Sequence, residues 1–174
     1  MNIFFLHLNP SQCAKMHVDK HVVKMILESM QLLCSAHHMH PVENYIPPYK
    51  LTHKNHPSSI WSRESIANYL WLVELTVELC KEYTYRYGKK HKCESYIYEL
   101  KNNVPDIKNK EFTTPRMAMP DMYKEKITDS HDENIENVIE AYKHYYFFEK
   151  NHILKWKNRD IPEFISSYKN MFEN

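Results

Sequence analysis

Glycine is almost missing from this chain: Gly88 stands alone among 174 residues. A Gly-rich phosphate loop and a dinucleotide-binding fingerprint are therefore excluded, as is any fold built on many tight hairpins. Long apolar runs are missing too, and nothing approaches the ~20 residues of a membrane span. Met1–Leu8 is apolar only briefly and has no basic start, which predicts neither a secretory leader nor a membrane partner. The formal net charge is +1, so no global basic field marks a nucleic-acid binder, and such a function needs a local patch. The cysteines Cys13, Cys34, Cys80 and Cys93 form no close pair, which removes a zinc knuckle and a Cys-x-x-Cys redox site. Cys13, Cys34 and Cys80 lie in apolar helical patterns and read as buried thiols of an intracellular, reducing compartment, a host-cell cytoplasm or a virion.

What is present is ample core material: 43% hydrophobic residues and 13 tyrosines. The pattern predicts one compact all-α domain over residues 1–174, with two long central helices and a Pro-punctuated loop. Asn2–Leu8 reads as extended and Asn9-Pro10-Ser11 as a turn, with Ser11 as N-cap. The first long helix follows to about His38. After a Pro-containing loop, Pro57 opens a second that runs to Tyr87 and stops at Gly88. A shorter helix covers Cys93–Asn102. Val104–Lys126 has no period and is either an ordered functional loop or a flexible one. Ser130 and Glu133 form a capping box for a helix to about Trp156, and Pro162 starts a last short one.

The first long helix has an unusual cross-section. At about 100° per residue, His17, His21, Lys24, Glu28 and Gln31 fall within roughly 80° of one another. Apolar side chains, among them Val22, Met25, Ile26, Leu27, Met30 and Leu33, fill the rest of the circumference. An exposed helix shows the reverse proportion. The seam predicts a buried helix whose His17, His21, Lys24 and Glu28 line one pocket wall, with Ile26 and Leu27 buried behind it.

Asp19-Lys20-His21, with Glu28 seven residues after the histidine, resembles the catalytic helix of the phage pyrimidine-dimer DNA glycosylase family. His56 before a long helix that closes on Cys80-Lys81-Glu82 and Arg86-Tyr87-Gly88 is similar to a second stretch of that family. A closer resemblance is to uncharacterised proteins of phages and large DNA viruses. It rests on Asp19–Ile26, Asn55–Ser58 with Trp61, Arg63 and Glu64, Glu82–Gly88, and Ala118–Asp121 with Tyr123. The glycosylase resemblance implies a compact all-α fold and attack of the chain's own α-amine on the sugar C1′, giving a Schiff base and then β-elimination. It also implies that Glu28 holds a proton or steadies the cationic sugar, and that His21 orients it or contacts phosphate. The chain departs from that family at two points. Leu27 precedes the glutamate where the family has arginines around it. Asn2 is bulky enough to predict that Met1 is retained and supplies the amine.

An α-amine titrates near ~8 against ~10.4 for lysine, so Met1 would be the better nucleophile, with Lys24 as the second choice. His17, His56, Arg63, Arg86, Lys89 and Lys90, with His91, Lys92 and the loop residues Lys50, His53 and Lys54, form the expected DNA-binding set. Tyr45, Tyr49, Tyr69 and Tyr123 are candidate walls for an extruded base. The amine chemistry needs no cofactor. A different reading takes the four-residue spacing of His17 and His21 as half of a site for zinc or another divalent metal, completed by His37, His38, His40, His53 or His56, in a nuclease or hydrolase. Val18 stands where a His-Glu-x-x-His motif needs glutamate. His131-Asp132 is similar to a pair found in metal phosphohydrolases but falls where a capped helix favours an acid anyway. A third reading is a non-catalytic viral nucleic-acid-binding protein.

Overall fold

The computed structural model describes residues 1–125 and 134–172. Every regular element among them is helical. Helix α1 spans Pro10–Met16, and its cap is Asn9, not Ser11. Pro10 occupies the first helical position, where its missing N–H costs nothing, and Asn9 Oδ1 accepts from the Ser11 and Gln12 N–H groups at 3.0 and 3.1 Å. The predicted first helix is two. The chain is extended at His17 and Val18 before α2 runs over Asp19–Met39. Distant groups stabilise that corner: Val18 N–H donates to the Tyr146 hydroxyl at 3.0 Å, and the His17 carbonyl accepts from Arg86 at 2.8 Å. Both groups would otherwise be orphans of a helix end.

The second predicted helix is divided as well, into α3, Pro57–Ser62, and α4, Ile66–Tyr87. Ser65 caps α4 through its hydroxyl to Asn68 N–H at 3.0 Å, while Ile66 N–H reaches across to the Asn109 carbonyl. At the far end Gly88 adopts φ +67°, the left-handed cap expected there. Helices α2 and α4 are the long central pair, and α1 and α3 pack against them. The remaining helices are α5, Glu94–Asn102; α6, Asp121–Glu125; α7, Ile135–Glu149; and α8, Glu163–Phe172. Asn134 caps α7, which ends at Glu149 rather than near Trp156. Ser130, His131, Asp132 and Glu133 lie outside the described residues.

Residues 103–120 form an irregular loop held at several points. Trp61 Nε1 donates to the Thr113 carbonyl at 2.9 Å, and Asn68 bonds Thr113 through both ends of its amide. The N-terminal run is irregular as well. Ile3, Phe4, Phe5 and Leu6 are all buried. Phe5 stacks on Trp71 with ring centroids 4.1 Å apart, and Phe4 stacks on His21 at 4.4 Å. These aromatic faces hold the start of the chain in the core, as aromatic pairs do beyond their area burial. All four cysteines are buried free thiols. No helix among the described residues is long and apolar enough to cross a membrane.

Candidate active site around the chain terminus and Glu28

Because Ile3–Leu6 is anchored, the chain terminus is brought to the polar seam of α2. Asn2 completes the clamp and is itself 8% exposed. Its Nδ2 donates to the Ala118 carbonyl at 2.9 Å, and its Oδ1 accepts from Ile3 N–H at 2.8 Å and from the Tyr142 hydroxyl at 3.1 Å. Each of these atoms is a buried polar group that would be costly to leave unpaired. Its main-chain N–H then donates to Glu28 Oε2 at 3.0 Å. One residue earlier, the Met1 nitrogen lies 3.4 Å from the same oxygen. Lys24 approaches Glu28 from the other side, its Nζ 3.1 Å from Oε1.

Glu28 is therefore a carboxylate 8% exposed and held between two amines of different character. The Lys24 side chain is 65% exposed and the Met1 side chain 4%. Met1 as a whole is half-buried, so its accessible surface lies at its main-chain end. The amine is thus placed against a carboxylate by the fold itself. His56 belongs to the same neighbourhood. It caps α3 through Nδ1, which accepts from Ser58 N–H at 3.2 Å. Burial lowers its pKa first, the positive chain terminus lowers it further, and Glu28 partly offsets both.

The histidines of the seam depart from expectation. His17 is 1% exposed and points inward, its Nδ1 2.7 Å from the Cys13 carbonyl. A carbonyl only accepts, so that nitrogen carries the proton. His21 is buried between Phe4 and Tyr146, with Nδ1 2.8 Å from the Tyr146 hydroxyl. Burial pushes the pKa of His17 down to about 4 and that of His21 down to about 3. Both are neutral at physiological pH, and neither lines the cleft with Glu28. His21 acts on the site only through Phe4, as a support for the terminal run. Leu27, expected behind the wall, is instead 40% exposed and faces the cleft, while Ile26 is buried as expected. The reason is the seam's width: with the histidines turned into the core, the open side of α2 moves round to Val23, Lys24, Leu27 and Glu28.

The expected DNA-binding set also divides. Arg86 is a structural residue. Its side chain is fully buried and donates to Glu82, Asp19 and the carbonyls of His17 and Lys15 at 2.8–3.0 Å. Arg159 brings a second guanidinium to Glu82 and stacks on Tyr85 at 4.0 Å. Arg86 has no surface with which to meet a phosphate. Arg63 ends α3 and donates to Ser59 Oγ and the Lys54 carbonyl, so it shapes the loop that precedes it. Lys50, His53 and Lys54 are exposed on that loop. Lys89, Lys90 and Lys92 are exposed just beyond Gly88, and with His91 they rim a cleft whose opposite wall is α2. Of the four tyrosines expected as base walls, only Tyr49 lines that cleft, and Tyr83 joins it. Tyr69 and Tyr123 are core residues, and Tyr45 is half-buried against His37.

No group of three or more histidine, cysteine or acidic side chains is placed to hold a metal ion among the described residues, so His17 and His21 gather no third protein ligand there. Sequence reasoning missed Asn2, Tyr142, Tyr146 and Arg159. The tyrosines act as buried polar crosslinks over more than a hundred residues, the Tyr146 hydroxyl accepting from the Val18 main chain and the Tyr142 hydroxyl donating to the Asn2 side chain. With 13 tyrosines in the chain, nothing local singles out those two. Comparison with protein-family models, with curated proteins and with solved structures returned no match, and the reading of this site rests on its own geometry.

Proposed function

We propose that this protein is a DNA glycosylase with AP-lyase activity, acting on damaged or modified bases through an amine. The observation that carries the reading is the Met1 nitrogen 3.4 Å from Glu28 Oε2, on a terminus clamped by Asn2. A neutral amine attacks C1′ of the deoxyribose, forming a C–N bond as the bond to the base breaks, and the departing base takes up a proton from water. Glu28 accepts the proton that the amine gives up and offsets positive charge on the sugar. Opening of the sugar ring yields the imine. Loss of a C2′ proton then expels the 3′ phosphate, and water releases the amine. Preorganisation supports this assignment: the carboxylate and the amine are held by the fold before any substrate arrives, which is what removes the entropic part of the barrier.

The chemistry requires a free Met1 amine in the mature protein, which N-terminal sequencing reads directly. The test is borohydride trapping on duplexes carrying an abasic site, which converts the imine to a stable protein–DNA adduct. The native protein should trap, and an N-terminally acetylated protein or one extended by an uncleaved tag should not, while both still bind DNA. Trapping that survives the blocked terminus and disappears in Lys24→Ala moves the nucleophile to the lysine on the other side of Glu28. An absence of adducts from a folded protein with a free terminus would rule out imine chemistry.

A further inference from the structure

The cleft beside Glu28 has a volume of about 730 Å³, within the range of small-ligand sites. Its two sides differ in chemistry. One carries apolar surface: Val23 and Leu27, about one turn apart on α2, are each 40% exposed, and Tyr83 lines the same cleft. The other is cationic, made by the Lys89–Lys92 run where the chain leaves α4. Tyr83 is braced by Tyr87 and by the edge of His91, both with ring centroids 5.1 Å away. Tyr49 is fixed by its hydroxyl, 3.3 Å from Cys93 Sγ. Two apolar side chains exposed about one turn apart, two braced tyrosines in the same cleft and the lysines at its rim suit an occupant that is flat and apolar at one end and anionic at the other.

We infer that this cleft is a mononucleotide pocket, taking the base between Leu27 and Tyr83 and the phosphate at Lys89–Lys92, so that the sugar comes to Glu28. Charge complementarity selects the occupant: Lys90 has Glu94 3.7 Å away, but an apolar ligand without an anionic end leaves Lys89 and Lys92 unanswered, and inorganic phosphate leaves the apolar wall exposed to water. The inference deepens the glycosylase reading and rests on it for the identity of the occupant as one nucleotide of a DNA strand. It also gives a role to Lys24, whose side chain is 65% exposed while paired with Glu28. A phosphate-bearing ligand in the cleft competes for Lys24, and the Glu28 oxygen it leaves is the one facing the sugar.

The test is an NMR titration of the full chain with deoxyadenosine 5′-monophosphate and thymidine 5′-monophosphate, with inorganic phosphate as the control. Amide shifts confined to residues 23–31 and 83–93 are expected with both nucleotides, and Leu27→Glu should weaken binding by roughly tenfold or more, since it fills the base wall and adds a like charge to the ligand. Should Leu27→Glu not fold, Lys89→Glu with Lys90→Glu on the exposed rim tests the same site. No shifts at millimolar nucleotide, or the same shifts with inorganic phosphate, overturn the inference. Trapping on abasic DNA separates it from the reading beneath it, because an abasic site has no base to place. Adducts without nucleotide binding remove the pocket and leave the amine chemistry standing. Nucleotide binding without adducts removes the lyase and leaves a nucleotide site.

Discussion

Replacing Glu28 with glutamine keeps the side-chain shape and one acceptor oxygen but removes the charge between Met1 and Lys24. The contact with Lys24 contributes little to stability, because that ammonium is mostly in water, and exposed pairs are worth about 0–1 kcal/mol. Its partner at the chain terminus sits against a carboxylate only 8% exposed. Breaking a buried pair by removing one charge costs about 3–5 kcal/mol. Here the amide oxygen can still accept from Asn2 N–H, so about 1–3 kcal/mol is expected. For a chain of this size that is a fall in Tm of roughly 3–10 °C. Trapping should fall much further, by ~100-fold or more, in line with the usual contribution of a positioned proton acceptor. Single-turnover trapping on an abasic duplex at 20 °C, where the variant is folded, separates the two effects. A variant with the expected loss in Tm and an unchanged trapping rate would show that Glu28 only ties down the terminus, and the catalytic assignment would fail.

Asn2→Ala leaves Ile3 N–H without its buried acceptor and the Ala118 carbonyl without the Asn2 donor, while the Tyr142 hydroxyl keeps the Arg116 carbonyl, and should cost about 2 kcal/mol by urea unfolding. Because it frees the terminus, trapping should fall in the folded variant at saturating DNA. Equal trapping would mean that the clamp does not set the amine's position. Arg86→Met leaves Glu82, Asp19 and two carbonyls short of a donor, and should destabilise by about 3–5 kcal/mol in the same assay. Salt dependence of DNA binding by the folded fraction should not change, since the guanidinium has no exposure; a reduced salt slope would return Arg86 to the binding face. Acid sensitivity follows from His17, His21 and His37, whose folded pKa values lie near 4, 3 and 4 because of burial. Each takes up a proton on unfolding between its folded value and ~6.5, so the stability is complete above about pH 7. It is lost as pH falls through 6 toward 4, by about 1.4 kcal/mol per pH unit for each. Denaturant midpoints that stay level from pH 7 to pH 5 would contradict their burial as neutral rings.

The amino-acid sequence by itself determined the class of fold, the two long helices and the glutamate that faces the amine. Helical period, the prolines at Pro10, Pro57 and Pro162, and the single glycine at Gly88 are local signals, and local signals act within one or two turns. The same reasoning identified Glu28 and Lys24, because residues four apart on a helix share a face whatever the helix packs against. Tertiary structure decided the rest. Whether the α1–α2 corner breaks at His17 depends on Tyr146 and Arg86, which satisfy its main-chain groups from far along the chain. A one-dimensional seam cannot say which of its polar members turn inward: His17 and His21 found carbonyl and hydroxyl partners in the core, and Leu27 was left to the cleft. Arg86 shows the same limit, since a basic residue near a helix end reads as a phosphate contact until its carboxylates, Glu82 and Asp19, are placed around it. The position of the amine was equally out of reach, for it depends on aromatic stacking of Phe4 and Phe5 and on Asn2 bonding to residues 118 and 142. Those contacts exist only after α2, α4 and α7 have packed, and only then does Met1 meet Glu28.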